Sequence, residues 1–309
     1  MIRIRIPATT ANLGPGFDCM GLALDLWNTF ELKIKGSPIG EGPLVHVSGE
    51  GSEALEKDQD NLVVQIMKNE LGPICPHDFS ITCYNQVPCA SGLGSSSTAV
   101  LAGLLFGEAV KNEERGQNPA EIDLDFVLRR AVQIEGHGDN VAPALLGGFV
   151  IVVPDGDRVL TQRIPHVPIQ AVVCVPQFKF LTCEARASLP NSYSRSDAIF
   201  NIGRAMLVAE ALRSGNNLLL AEAMKDKIHE PYRVNSIPGA EQARAAALHA
   251  GALCVALSGA GPGMIAFTKG KYDRIGEAMN EAFARSGLKS RYWILDATSE
   301  GIKVSRLPV

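Results

Sequence analysis

Val87-Pro88-Cys89-Ala90-Ser91-Gly92-Leu93-Gly94-Ser95-Ser96-Ser97-Thr98, running on through AVLAGLL to Leu105, decides how the rest of the chain is read. An alternating run, Phe79-Ser80-Ile81-Thr82-Cys83, predicts a strand ahead of it. The apolar, Ala-rich stretch from Ser95 to Val110 predicts a buried helix after it. Between them, Gly92 and Gly94 let the backbone turn so that several N–H groups converge, and the serine hydroxyls add donors. A helix N-terminus contributes about half a positive charge at the same place. This is a recipe for holding an anion. Read alone, it is also an ordinary capped helix after a flexible turn. No charged residue or histidine occurs from Asn85 to Gly107, so a polyphosphate held here needs a cation from elsewhere, most simply Mg²⁺. The segment has neither the lysine of a Walker loop nor the GxGxxG spacing.

Working outward, 309 residues suffice for one large domain or two ordinary ones. The chain is 46% hydrophobic and 20% charged, with a net charge of -4 and dispersed basic residues, which argues against a nucleic-acid footprint. No apolar run reaches the roughly 20 residues of a membrane span. The opening MIRIRIPATTANLG alternates like a strand and is unlike a signal peptide. Seven cysteines without a CxxC pair read as mostly buried free thiols of a reducing cytoplasm. Six dispersed histidines give no zinc motif.

Further strands are expected at Ile2–Ile6, Thr29–Lys35, Val45–Val47, Gly148–Val153, Val159–Ile164, Ala171–Val175, Leu253–Leu257, Met264–Thr268, Tyr292–Leu295 and Ile302–Val304. Helices are expected at Asn61–Leu71, from Asn118-Pro119 to Gly136, and at Asp197–Arg213, Ala221–Ile228, Ala240–Ala250 and Tyr272–Arg285. The irregular alternation favours α+β. The proline- and turn-containing stretch Val153–Pro168 is the expected boundary.

The Val87–Thr98 segment resembles the ATP-binding signature of the GHMP small-molecule kinases, with Ser97 and Thr98 standing where small residues such as alanine are frequent. The resemblance implies ATP contacts from Pro88, Ser91, Gly92, Leu93, Gly94, Ser95, Ser96, Ser97 and Thr98. It also implies two domains, 1–160 and 161–309, the first ribosomal-S5-domain-2-like and the second a ferredoxin-like α/β sandwich.

Four more segments are similar to the homoserine kinase branch of that family, and together they cover essentially the whole chain. In PATTANLGPGFDCMGL, Pro7–Leu22, the polar loop alone could be a turn with Asx capping. The resemblance turns Asn12 and Asp18 toward substrate, and a fixed carboxylate suits an ammonium. In EGHGDNVAPALLGG, Glu135–Gly148, a glutamate closing a helix is disfavoured by the dipole unless a cation is near, or is simply an exposed last-turn residue. Here the resemblance assigns His137 and Asn140 to the substrate pocket, Asn140 and Ser96 to the transfer step, and Glu135 with Ser96 to Mg²⁺. Gly138 replaces the usual proline. Asn140 can hold a hydroxyl but cannot take its proton at neutral pH.

In LTCEARASLP, Leu181–Pro190, and HEPYRVNSIPG, His229–Gly239, lone arginines would ordinarily be solvated. The resemblance gives Thr182, Arg186 and Arg233 to the substrate, the two guanidinium forks matching a carboxylate. ALSGAGPG, Ala256–Gly263, is a hairpin turn by spacing. By resemblance it is the third glycine loop closing the site, with Gly259 at the substrate and Gly263 in place of the usual serine.

The implied activity is transfer of the ATP γ-phosphate to L-homoserine, with Mg²⁺, no general base and family-style homodimers. The rival readings are a related kinase for mevalonate, shikimate or a sugar, and a catalytically silent sensor of ATP or an amino acid.

Overall fold

The computed structural model describes residues 1–34, 44–76 and 78–308. The described chain is α+β, built on two sheets. The strands are β1 (Ile2–Ala11), β2 (Met20–Ile34), β3 (Val45–Gly49), β4 (Phe79–Asn85), β5 (Phe149–Asp155), β6 (Arg158–Ile164), β7 (Gln170–Pro176), β8 (Cys254–Leu257), β9 (Met264–Phe267), β10 (Ser290–Asp296) and β11 (Lys303–Arg306). The helices are α1 (Leu62–Leu71), α2 (Ser95–Glu114), α3 (Leu124–Glu135), α4 (Val141–Leu146), α5 (Thr182–Ala187), α6 (Arg195–Ser214), α7 (Asn217–Ala223), α8 (Glu230–Arg233), α9 (Ala240–Ala250) and α10 (Tyr272–Arg285).

The first sheet runs β11-β1-β2-β4-β3, with β5 paired to β2 and β6 to β5. Only the β3–β4 pair is parallel. β2 is much longer than the expected Thr29–Lys35, and Lys35 lies outside the described residues. Its first third, Met20 to Leu24, is buried on both faces, so the period-two pattern that marks a half-exposed strand is absent there. The Val153–Pro168 stretch is largely the β5–β6 hairpin of this sheet. β11 returns to the β1 edge, so the chain ends on the sheet where it began.

The second sheet, β10-β7-β9-β8, is antiparallel and its residues alternate strictly. Ala171, Val173, Ala256, Ile265 and Phe267 face a core shared with α6, α7 and first-sheet residues such as Ala8, Leu22 and Phe149. Val172, Cys174, Val255, Leu257, Met264 and Ala266 face α9 and α10. The core of the first sheet gathers Ile4, Phe30, Leu32 and Ile81 against α1 to α4. α2 is buried nearly all round from Ser97 to Val110, as its mainly apolar composition there predicts.

α9 and α10 begin and end where their periodicity sets them. Two other helices do not. Asn118 accepts from the Ala120 N–H at 3.1 Å in a local Asx turn, and α3 starts later on Asp123, which accepts from Phe126 N–H at 3.0 Å. α7 is capped by Asn216 and ends at Ala223, not Ile228. Asp226 stops it by taking the N–H groups of Ile228, His229 and Glu230 at 2.7 to 3.0 Å. The cysteines are free, but only Cys83, Cys174 and Cys254 are buried; Cys89 and Cys183 are exposed. Burial pushes the three buried thiols up to about 12, which makes them inert. No helix among the described residues is long and apolar enough to cross a membrane.

Candidate active site

A cleft of about 500 Å³ opens where the two sheets meet. The Ser91–Ser97 turn, the Asn12–Asp18 loop, the α3–α4 connection, α5, Arg233 and the Gly259–Gly261 turn converge on it. The turn after β4 takes the backbone conformation that its glycines predict. Gly92 and Gly94 adopt φ of 79° and 72°, which a residue with a Cβ resists. The first bond of α2 runs from Thr98 N–H to the Gly94 carbonyl at 3.0 Å, so the amides of Ser95, Ser96 and Ser97 precede the ladder. Three assigned residues support this turn from behind. The Ser91 hydroxyl donates to the Pro88 carbonyl at 2.7 Å and accepts from Leu93 N–H at 3.2 Å, while Leu93 is fully buried. The Thr98 hydroxyl donates to the Ser95 carbonyl and accepts from Asn28. Pro88, Leu93 and Thr98 are outside the cleft lining, but Thr98 lines a neighbouring cavity that shares Ser95 and Ser96 with the cleft.

The Ala256–Gly263 hairpin packs on the turn. The Ser258 hydroxyl donates to the Gly92 carbonyl at 2.7 Å, and Gly263 N–H donates to the Ser91 carbonyl at 3.1 Å. A Cβ built on Gly263 would sit 2.2 Å from that same carbonyl oxygen, so a serine here would have to move the turn. Asn12 ties this hairpin to the first loop. Its amide donates to the Gly259 carbonyl at 2.8 Å and its oxygen accepts from Asp18 N–H at 3.0 Å. Both Asn12 and Gly259 line the cleft, but their polar groups already hold the loops together.

At one end of the cleft, Ser96 Oγ donates to Glu135 Oε1 at 2.8 Å. Glu135 closes α3 as expected, and His137 Nε2 lies 3.9 Å from its other oxygen. His137 Nδ1 meets Asp139 Oδ1 at 2.6 Å. Burial alone would lower the His137 pKa; the bond to Asp139, its charge and that of Glu135 outweigh this and raise it. Asn140 accepts from the Thr9 hydroxyl at 2.8 Å, which fixes its amide plane and leaves its N–H₂ without a partner among the described residues.

At the other end, Arg186 donates to both Asp18 oxygens at 2.8 and 2.9 Å. This pair raises the pKa of the guanidinium above its ordinary value. Arg233 is only 2% exposed and has no carboxylate partner among the described residues. Burial, then the charge of Arg186, lowers its pKa. The exposed Thr182 opens α5 beside them.

The residues missed in the sequence are those that seat the arginines. Phe17 lies under both guanidinium groups, 5.7 Å from Arg186 and 5.0 Å from Arg233, and stacks on His229 at 5.2 Å. His229 Nε2 donates to the Gly14 carbonyl at 2.8 Å, and its Nδ1 accepts from Arg233 at 3.4 Å. Asp139 is 2% exposed and lies inside the quoted EGHGDN phrase; Phe17 is the one aromatic in the Asn12–Asp18 loop. Those placements were the available signals.

Two family models match the chain: GHMP kinases N terminal domain over residues 61–148 and GHMP kinases C terminal over 208–285. The homoserine kinase of Moorella thermoacetica is 40% identical over 93% of this chain and 94% of its own length. That of Aquifex aeolicus is 37% identical over 98% of this chain and 99% of its own. The crystal structure of homoserine kinase from Cytophaga hutchinsonii superposes with a TM-score of 0.80 at 28% identity, covering 98% of this chain and 97% of that one. A chain matched along its length in sequence and in fold by these enzymes belongs to the homoserine kinase branch of the GHMP kinase family.

Proposed function

We propose that this chain transfers the γ-phosphoryl group of ATP to the side-chain hydroxyl of L-homoserine, giving O-phospho-L-homoserine on the route to threonine. The observation that carries the reading is the buried Arg233 guanidinium beside the Asp18–Arg186 pair. A buried cation without a counter-ion is costly, and a ligand carboxylate would supply one. Asp18 offers a carboxylate within the same cluster for an ammonium. Two cations and one anion match an amino acid zwitterion, whereas mevalonate, shikimate and sugars have no ammonium to use Asp18.

The phosphates are assigned to the Gly92–Ser97 turn, where the free amides of the first helical turn and the dipole of α2 face the cleft. A neighbouring cavity of about 350 Å³ shares Leu62, Ala90, Ser95 and Ser96 with the cleft, and Phe30, Val63 and Ala99 make much of its wall apolar. Its position and chemistry suit the adenine base. Ser96 and Glu135 fit Mg²⁺: both give hard oxygen donors, and two protein ligands suffice for an ion that keeps waters and phosphate oxygens. Among the described residues no group of three or more His, Cys, Asp or Glu forms a further metal site. When bound, the ion would supply the positive charge that the uncharged turn lacks.

Catalysis by the chain itself is then positioning and electrostatics. Arg186, Arg233 and Asp18 hold the amino acid by its two charges, and the Asn140 amide, fixed by Thr9, donates to the hydroxyl oxygen. Both oxygens of Asp18 are engaged by Arg186, and Oδ1 of Asp139 by His137 and the Asn140 N–H. The hydroxyl proton is accordingly assigned to a phosphate oxygen or water. We keep two units near 1–160 and 161–309, with β6 and β11 of the second span completing the sheet of the first, join two chains in a homodimer, and set the reaction in a reducing cytoplasm, supported by seven cysteines without a disulfide.

The decisive experiment measures ADP release with Mg-ATP against L-homoserine, mevalonate, shikimate and galactose. Turnover with homoserine well above the others is expected. ATP binding without turnover on any of them would favour the sensor reading instead.

A further inference from the structure

Asn28 lies on β2, 1% exposed and outside every segment that carries the family resemblance. It stands where β4 leaves the sheet. The β2–β4 register ends at Thr29 opposite Tyr84, and β3 ends opposite Asn85. The amides of Gln86 and Val87 therefore lie beyond both neighbouring ladders. Asn28 Oδ1 takes the two of them, at 2.9 Å each. Val87 is fully buried, so its N–H would otherwise be an orphan donor in the core.

The same side chain reaches the far side of the glycine turn. Asn28 Nδ2 donates to Thr98 Oγ at 2.9 Å, and that hydroxyl donates to the Ser95 carbonyl at 2.8 Å. The two accepted bonds fix the orientation of the amide, because a flipped Asn28 would point its N–H₂ at two N–H donors. Its own N–H must then face Thr98, which leaves the hydroxyl proton for Ser95. Such a chain has one direction, and each bond polarises the next. Its last member is half of a rigid unit. The Ser95 carbonyl and the Ser96 N–H share one peptide plane and point opposite ways, so holding the carbonyl back toward Thr98 aims the N–H the other way. Ser96 lines the cleft, and its N–H precedes the helical ladder. Thr98 stands where the family signature often has a small residue such as alanine, so this hold belongs to the chain's own sequence.

We propose that Asn28 is a positioning residue for phosphoryl transfer: through Thr98 it holds the Ser95–Ser96 peptide so that the Ser96 N–H meets a phosphate oxygen of the nucleotide. The proposal rests on the ATP reading above and assigns what sets the donor geometry of the turn. Asn28 and Thr98 then act on the phosphates and on neither the base nor the amino acid.

The test is titration calorimetry of ATP, inorganic tripolyphosphate and adenosine, each with Mg²⁺, against the full-length chain and its variants. Steady-state kinetics with L-homoserine run beside it, and circular dichroism shows that each variant is folded. Thr98→Val, alike in shape but without the hydroxyl, is expected to weaken ATP and tripolyphosphate binding about fivefold and to leave adenosine within a factor of about two. Thr98→Ser is expected to recover most of that loss. Asn28→Asp keeps an acceptor for Gln86 and Val87 but turns the Thr98 proton toward itself. About a tenfold loss for the same two ligands is expected, with KM for homoserine within a factor of about two. Adding Thr98→Val to Asn28→Asp should cost little more, since both break one chain. If Asn28→Asp does not fold, the two Thr98 variants decide alone. Equal losses for adenosine and the phosphate-bearing ligands would make the pair a wall of the base cavity and overturn the proposal. Additive losses in the double variant, or none in Thr98→Val, overturn it as well. An unaltered chain that binds ATP without phosphorylating homoserine overturns the functional reading and leaves this one standing. A chain that binds neither ATP nor tripolyphosphate overturns both.

Discussion

Asp18 and Arg186 are 168 residues apart in the chain and meet as a two-point ion pair, 2.8 and 2.9 Å, over the edge of the candidate substrate cleft. Each was assigned separately to an opposite end of an amino acid. In the structure they neutralise each other, with the Arg186 and Asp18 side chains 38% and 31% exposed. A zwitterion entering the cleft would exchange part of this pairing for its own charges.

Asp18→Asn therefore removes both an ammonium partner and the anion that balances two clustered guanidinium groups. The half-exposed setting puts the loss at the lower end for hydrogen-bonded charge pairs, about 2 kcal/mol or roughly thirtyfold in kcat/KM for homoserine. The loss should fall on KM more than on kcat, and KM for ATP should stay within a factor of about two. Steady-state kinetics with each substrate varied in turn checks this. Arg186→Lys should lose nearly as much as Arg186→Ala, because an ammonium cannot form the planar two-point contact.

Arg233 separates binding from stability. It is buried, paired with no described carboxylate, and bonded only to the Ala185 carbonyl and His229. Arg233→Met should raise KM for homoserine by about tenfold or more, yet leave the melting temperature unchanged or higher, since an apolar side chain of similar volume avoids burying a charge. Thermal unfolding beside kinetics reads both. A melting temperature that falls together with activity would make Arg233 a structural residue.

Glu135→Gln keeps a bond to Ser96 but loses a negative donor for a divalent cation. It should lower kcat by about a hundredfold, a magnitude typical of losing one charge-stabilising group, and raise the Mg²⁺ concentration for half-maximal rate. ATP binding measured without the metal should change little. A Mg²⁺ dependence equal to that of the unaltered chain would remove Glu135 from the metal's surroundings.

Gly92→Ala tests the contact between the two glycine turns. The residue has φ of 79°, and an added Cβ would sit 2.1 Å from the Ser258 carbonyl oxygen. Backbone cannot yield as a flexible side chain can, so the cost should reach about 3 kcal/mol, with a lower melting temperature and weakened ATP binding. Gly116→Ala, also at positive φ but with nothing within 4 Å of the added Cβ, isolates the conformational part of that cost.

What could be read directly was local. The strand, glycine turn and helix from Phe79 to Glu114 follow from alternation, two glycines and an apolar run, and the ranges of α9 and α10 from periodicity. The family membership rested on short phrases whose residues stand together in the chain. Asn118-Pro119 misled because a side chain that can cap a helix can equally close an Asx turn, and the distinction lies in what the next residues pack against. β2 was half hidden because burial on both faces erases alternation.

The sequence by itself determined the α+β class, the strand, glycine turn and helix, and the short phrases that carry the polar residues of the cleft. Turn chemistry and side-chain period act over a few residues, so they survive in the linear text. Only the tertiary structure decided how those residues are used: that Asn12 spends its amide on Gly259, that Phe17 and His229 seat Arg233, and that Asp18 answers Arg186. Those relations join residues far apart in the chain, and their strength depends on burial and angle. Neither quantity is a property of any residue alone.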